Sequence, residues 1–333
     1  MKRNPLSIAL CLLCMLAFSG CAGESAGGGA ASPAQSEAGA AQESAAAIDT
    51  SALFSDRDLD GSYDESTAVA IQLNGDSAVC DSNAVSIDGT RITLTGEGVY
   101  LLSGTLTDGQ IVVDAGENDK VQLVLNGVDM TSADSAAIYV LEADKVFLTL
   151  ADGTENTLSN GGEYIAIDEN NIDAVVFAKT DLTLNGTGSL TLNAAAGHGV
   201  VSKDDLVITQ GSYTVTAASH GLSGKDSVSI AGGSFAITAG KDGIHAENAD
   251  DLSLGSLYIE SGSFTIAAQG DAVSASGAAE IDGGTFELTT GEGSASVTMS
   301  SSDAAGPGRP GEQVFQEEAA AAEEDTVSQK GIK

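Results

Sequence analysis

Two ladders of ionisable residues recur through the middle of the 333-residue chain at spacings that could do chemistry. The first runs Asp173, His198, His220, Asp242 and Asp271, each two residues before an aliphatic at Val175, Val200, Leu222, Ile244 or Val273. The second runs Lys179, Lys203, Lys225 and Glu247, with Asp204, Asp226 and Asn248 directly after the last three. If successive members stack about 4.8 Å apart, as adjoining strands do, carboxylates of one ladder could share a cation. An all-oxygen ligand set favours calcium over zinc. The densest such group is Asp242, Glu247, Asn248, Asp250, Asp251 and Asp271. Crowded carboxylates repel one another until a proton, a cation or solvent relieves them. The plainer alternative is that each Asp closes its own turn through the backbone. His198 and His220 read as turn or stacking residues, because zinc asks for more His or Cys than this region offers. Asp56, Asp58, Asp60 and Gly61 mimic the opening of an EF-hand loop. Thr67 stands where its last ligand belongs and no helix pair flanks it, so metal is disfavoured there.

The elements that must hold these ladders follow from a repeat. Leu184, Ile208, Ile230, Ile259 and Ile281 recur at steps of 24, 22, 29 and 22 residues. Gly211, Gly233, Gly262 and Gly284 keep the last three steps, and so do Tyr213, Phe235, Phe264 and Phe286. The 29-residue step contains an insertion, 248–255. A period near 22, cut by Gly, Asp and Asn into short alternating segments, has no room for a helix but fits two or three brief strands. The expected fold is therefore all-β, a right-handed parallel β-helix with coils of about 22 residues. Its narrow interior suits small and aliphatic side chains, and the in-step aromatics are expected to stack inside. A β-sandwich fits worse, since its strands do not hold one register over successive equal steps. Residues 68–120 read as N-terminal coils and cap, with Ile92–Leu94 and Val99–Leu101 as a hairpin about Gly96 and Gly98.

Lys2 and Arg3, the apolar run 6–18 and Cys21 form a signal peptide over residues 1–20 that resembles a bacterial lipobox, with Cys21 acylated. Residues 21–50 hold almost no bulky apolar side chain and form a tether. The β-helix is expected over 51–300, and 301–333 is an acidic tail in which Lys330-Gly331-Ile332 repeats the register of Asp242-Gly243-Ile244. With Cys21 carrying lipid, Cys80 is the one free thiol of the mature chain. A formal net charge of −35 excludes nucleic acid as a partner, and the membrane is reached only through the lipid.

The segments at 54–66, 119–130, 136–159 and 241–266 together resemble a carbohydrate-binding family described as a domain of unknown function. The resemblance covers about residues 50–300. It implies a right-handed parallel β-helix similar to pectate lyases, bound calcium, and binding of cellulose and acidic polysaccharides such as polygalacturonate, with no lyase activity established. In that frame the metal ligands would come from Asp173, Asp204, Asp226, Asp242, Glu247, Asn248, Asp250, Asp251 and Asp271. Lys203, Lys225 and Tyr258 would touch sugar, with Tyr139 and Tyr164 as further candidates. The lysines could equally serve to neutralise Asp204 and Asp226. A pectate-lyase-like enzyme would use Lys203 or Lys225 as the base, and a surface adhesin or structural solenoid is the other alternative.

Overall fold

The computed structural model describes residues 48–251, 253–291 and 329–333. The signal peptide, Cys21, most of the tether and most of the acidic tail lie outside the described residues.

The chain winds as a parallel β-helix with three strands per coil. His198–Ser202, Asp205–Ile208 and Ser212–Ala217 make one turn, and Leu222–Gly224, Ser227–Ile230 and Ser234–Ala239 repeat it one layer on. On the first face Val200, Leu222, Ile244 and Val273 are direct partners. The second face pairs Leu182, Leu206, Val228 and Leu257, and the third pairs Leu190, Tyr213, Phe235, Phe264 and Phe286. The long strand Lys120–Ser132 bends between the second and third faces, pairing with Lys145–Leu150 at one end and Glu155–Asn160 at the other.

Burial alternates residue by residue along each strand of the third face, so Phe235, Ile237 and Ala239 point in while Ser234, Ala236 and Thr238 face water. Inward aliphatics from all three faces form one continuous core. The aromatics stack as their period predicts, with centroids 5.2, 4.8 and 4.7 Å apart from Tyr213 to Phe286. The glycine period belongs to the same device. At Gly233 φ is +121°, and a Cβ there would lie 3.2 Å from the Phe235 ring.

Three features depart from the sequence reading. The step of 24 that carries Leu182 to Leu206 also carries Val176 to Val200. Asp173 therefore aligns with Gly197, one residue out of the ladder assigned to it. The segment Arg91–Leu94 does not form a hairpin with Gly98–Leu106. It pairs antiparallel with Val85–Asp88, which closes the N-terminal edge of the first face, while Gly98–Leu106 joins the parallel ladder with Lys120–Ser132. The antiparallel strand thus covers the edge of Arg91–Leu94 and becomes the last strand of that sheet.

The third departure is the stretch 50–62, which is a strap laid over the outside of the second face. Its short helix Asp56–Leu59 is closed by a capping box in which Ser55 and Asp58 bond reciprocally. The Asp58 carboxylate is 2% exposed. It accepts from Thr183 Oγ1 at 2.5 Å and lies 2.8 Å from Lys145 Nζ, while its carbonyl accepts from Thr209 Oγ1 at 2.8 Å. Arg57 sits 4.4 Å over the Phe147 ring and Phe54 meets Tyr258 at 6.1 Å. The Asp58 oxygens are thus committed to Lys145, Thr183, Thr209 and Ser55.

At the other end Ile332 bridges Val273 in parallel, and the Ala272 and Val273 amides donate to the Lys330 and Gly331 carbonyls. Lys330-Gly331-Ile332 thus sits one layer beyond Asp271-Ala272-Val273.

Candidate functional site

The outward row of the first face reads Tyr139, Phe177, Val201, Ser223, His245 and Ser274. The loop 161–173 covers its apolar start, packing Tyr164 and Ile172 against Tyr139, Phe177 and Val201. The Tyr139 hydroxyl donates to Asp168 at 2.7 Å and accepts from Asn170 at 2.8 Å. Past this loop the face carries a shallow groove of about 360 Å³ lined by His198, His220, His245, Lys203, Lys225 and Glu247, among others. It adjoins a second depression of about 630 Å³ that adds Lys241, Asp242, Asp271 and Lys333.

Stacked coils place one lysine per layer at one corner of this face, and Lys203 and Lys225 of that row line the groove. Lys179, Lys203 and Lys225 extend the paired positions of Phe177, Val201 and Ser223 by two residues, and the Lys203 and Lys225 amides donate to the coil before them. Lys203 Nζ lies 5.2 Å from the Phe177 ring, and Lys225 Nζ is 2.7 Å from Asp250. The other edge holds three parallel imidazoles, with His198 to His220 centroids 5.1 Å apart and His220 to His245 4.1 Å. Burial first, then the neighbouring imidazoles, pushes the pKa of His220 down to about 3. Burial also opposes a charge on His245, but the carboxylates of Asp242 and Glu247 outweigh it and hold its pKa above the ordinary histidine value.

The first ladder has a structural purpose. His198 Nδ1 accepts the His220 amide at 3.3 Å, His220 Nδ1 accepts the Asp242 amide at 3.2 Å, Asp242 Oδ1 accepts the Asp271 amide at 2.7 Å, and Asp271 Oδ1 accepts the Lys330 amide at 2.6 Å. Each side chain satisfies the backbone donor of the next coil. The position requires an acceptor, and neutral His or Asp both supply one.

The dense oxygen group expected from sequence is divided. Asn248 Oδ1 accepts the Asp250 and Asp251 amides, and its Nδ2 donates to Asp226 at 2.6 Å. Asp251 closes its own turn onto Ser253, and Asp250 pairs with Lys225. Asp242 and Glu247 instead face His245 from its two ring nitrogens, at 2.8 and 3.0 Å. Asp271 is 1% exposed and turned to the backbone. Asp173 lies outside the register, its Oδ2 3.8 Å from His198 Nε2.

Asp204 and Asp226 do stack, at the corner between the first and second faces, beside Asp181 and Asp205. Burial and then the charges of Asp181 and Asp226 push the Asp204 pKa up to about 6. Tyr258 is on the second face, 5% exposed, its hydroxyl donating to Asp282 at 2.8 Å beneath Phe54. Tyr258 is thus removed from the groove, and Tyr139 is covered by the loop. Sequence reasoning missed His245, Lys241 and Asp181. The His245 signal was its place three residues after Asp242, one residue past an inward aliphatic rather than two before it.

Fold and groove together define a parallel β-helix with a trough on one face lined by lysines, histidines and carboxylates. Residues 88–333 match the carbohydrate-binding domain-containing protein family, and the chain belongs to it. A carbohydrate-binding domain-containing protein of Acetivibrio thermocellus is 40% identical over 142 residues, covering 40% of this chain. That match takes in 50% of the relative, so the chain spans about half the length of the curated relative it matches. A solved structure of the polysaccharide lyase-like protein from C. thermocellum, as a gadolinium derivative, is similar with a TM-score of 0.61 at 36% identity. The likeness covers 68% of this chain and 98% of that one.

Proposed function

We propose that this chain is a non-catalytic binder of acidic polysaccharide of the polygalacturonate type, held at a cell surface by lipid on Cys21. The observation that carries the reading is the row Lys179, Lys203 and Lys225, one lysine per coil, of which Lys203 and the Asp250-paired Lys225 line the groove, in a chain of net charge −35. The coil repeat of about 4.8 Å sets the spacing of successive lysines in the row. Calcium suits the corner where Asp181, Asp204 and Asp226 crowd, because burial and then the charges of Asp181 and Asp226 raise the Asp204 pKa there. Asp204 and Asp226 would hold the ion, which would lower the negative field that otherwise repels a polyanion.

The test is affinity electrophoresis of the full chain through gels containing polygalacturonate or soluble cellulose derivative, with calcium or with chelator. Retardation by polygalacturonate in calcium, weakened in a Lys203→Gln/Lys225→Gln variant, is the expected result. Equal migration in every gel overturns it. The polysaccharide lyase-like neighbour supports a second reading, in which Lys203 takes the proton α to a uronate carboxylate. Release of ultraviolet-absorbing unsaturated product from polygalacturonate would establish that reading instead.

A further inference from the structure

On the imidazole edge of the groove, His245 has a carboxylate facing each of its ring nitrogens. Glu247 Oε2 lies 3.0 Å from Nε2, so in neutral imidazole that nitrogen keeps the proton and Nδ1 is bare. Nδ1 is nevertheless 2.8 Å from Asp242 Oδ2, shielded from solvent and without an aligned hydrogen bond. Facing at that distance, the two atoms need a positive centre between them, either a second ring proton or a metal ion.

His220 brings a third donor. Its ring is parallel to that of His245, 4.1 Å away, and its Nδ1 is 3.5 Å from the same carboxylate oxygen. One ligand atom from each of His220, Asp242 and His245 lies within 4.8 Å of the others. A tetrahedral centre with bonds of about 2.1 Å sets its ligand atoms about 3.4 Å apart, within reach of small ring rotations. Glu247 then takes the place of the carboxylate that orients a metal-bound imidazole by holding its far nitrogen. Two imidazoles and one carboxylate are a donor set for zinc-class ions rather than calcium.

We propose that His220, Asp242 and His245 form a site for a divalent transition ion of the zinc class, oriented by Glu247. The site is distinct from the all-oxygen corner at Asp204 and Asp226. Loading exchanges the Asp242 amide for the ion at His220 Nδ1, and a proton shared between His245 and Asp242 is the competing occupant.

Cobalt(II) titration of the full chain, stripped of metal and then saturated with calcium to fill oxygen sites, tests the proposal. One equivalent of cobalt should develop the visible absorption of a nitrogen-ligated low-symmetry centre, and zinc should abolish it. His245→Gln and His220→Gln should each weaken cobalt binding at least tenfold, while Asp204→Asn should not. Far-ultraviolet dichroism of each metal-free variant separates lost ligands from lost fold. A folded wild-type chain without the cobalt spectrum, or affinity unchanged in both folded histidine variants, overturns the proposal. Neither outcome touches polygalacturonate binding, which is read without transition metal.

Discussion

Replacing Asp58 with asparagine should release the strap while leaving the coils intact. The carboxylate is 2% exposed and lies 2.8 Å from Lys145 Nζ, whose side chain is 14% exposed. Asparagine preserves the shape but leaves that ammonium without its counter-charge. Breaking a buried pair in this way costs about 3–5 kcal/mol. Lys145 lies at the surface end of its strand, so it escapes to water once the strap lifts, and the cost falls on strap docking rather than on global folding. At 1.4 kcal/mol per tenfold, a loss of about 3 kcal/mol raises hydrogen exchange of the 55–60 amides by on the order of a hundredfold. Exchange of the coil amides around Leu206 and Val228 should stay as in the parent. The parent should mimic the variant in acid. Burial raises the Asp58 pKa, but bonds from Lys145, Thr183 and Ser55 outweigh it and hold it below 3.8. Its stabilisation is therefore complete above that value and is lost as pH falls through the lower folded pKa. Exchange mass spectrometry at several pH values reads both effects. Unchanged strap protection in the variant, or loss of protection spread equally over strap and coils, would refute the reasoning.

Phe264→Ala opens a gap between Phe235 and Phe286 and should cost about 3–5 kcal/mol, read as a lower denaturant midpoint. His198→Leu leaves the His220 amide without its acceptor and should cost about 1–3 kcal/mol, whereas His198→Asn keeps an acceptor and should recover most of it. Asp204 has a folded pKa of about 6 against 3.8 unfolded, so the folded state holds the extra proton and calcium-free stability should fall as pH rises across that window. Asp204→Asn should flatten that slope in thermal melts, and added calcium should flatten it in the parent.

The coil was legible in the sequence because a solenoid repeats its own environment. Ile208, Ile230, Ile259 and Ile281 meet the same neighbours at each layer, and Tyr213 through Phe286 declare one interior column. The side-chain chemistry on the outside was less legible, since it depends on single-residue register. Asp173 was placed one position off because the 24-residue step was read as 25 at that point. His245 faces outward from a strand whose inward residues set the alignment, so it never entered the ladder whose rings it stacks upon. The oxygen-rich run after Glu247 looked like one site, yet Asn248 spends its carbonyl on the Asp250 and Asp251 amides and its amide on Asp226. Nothing in the spacing of Asp56 to Gly61 announces a partner at Thr183, 125 residues away.

That separation sets an order of assembly. Coils form through contacts between neighbouring layers, each closing a loop of about one repeat, whereas Asp58 reaches Thr183 across 125 residues and Thr209 across 151. Its partners on the second face exist only when the strands containing Lys145, Thr183 and Thr209 are already aligned. Docking of the strap is therefore a late kinetic event, gated by completed winding of at least three coils, and a chain with a misthreaded middle coil would leave it undocked and open to proteases. The N-terminal segment, made first, is placed last, and its protection reports that the coils beneath it have closed in the correct register.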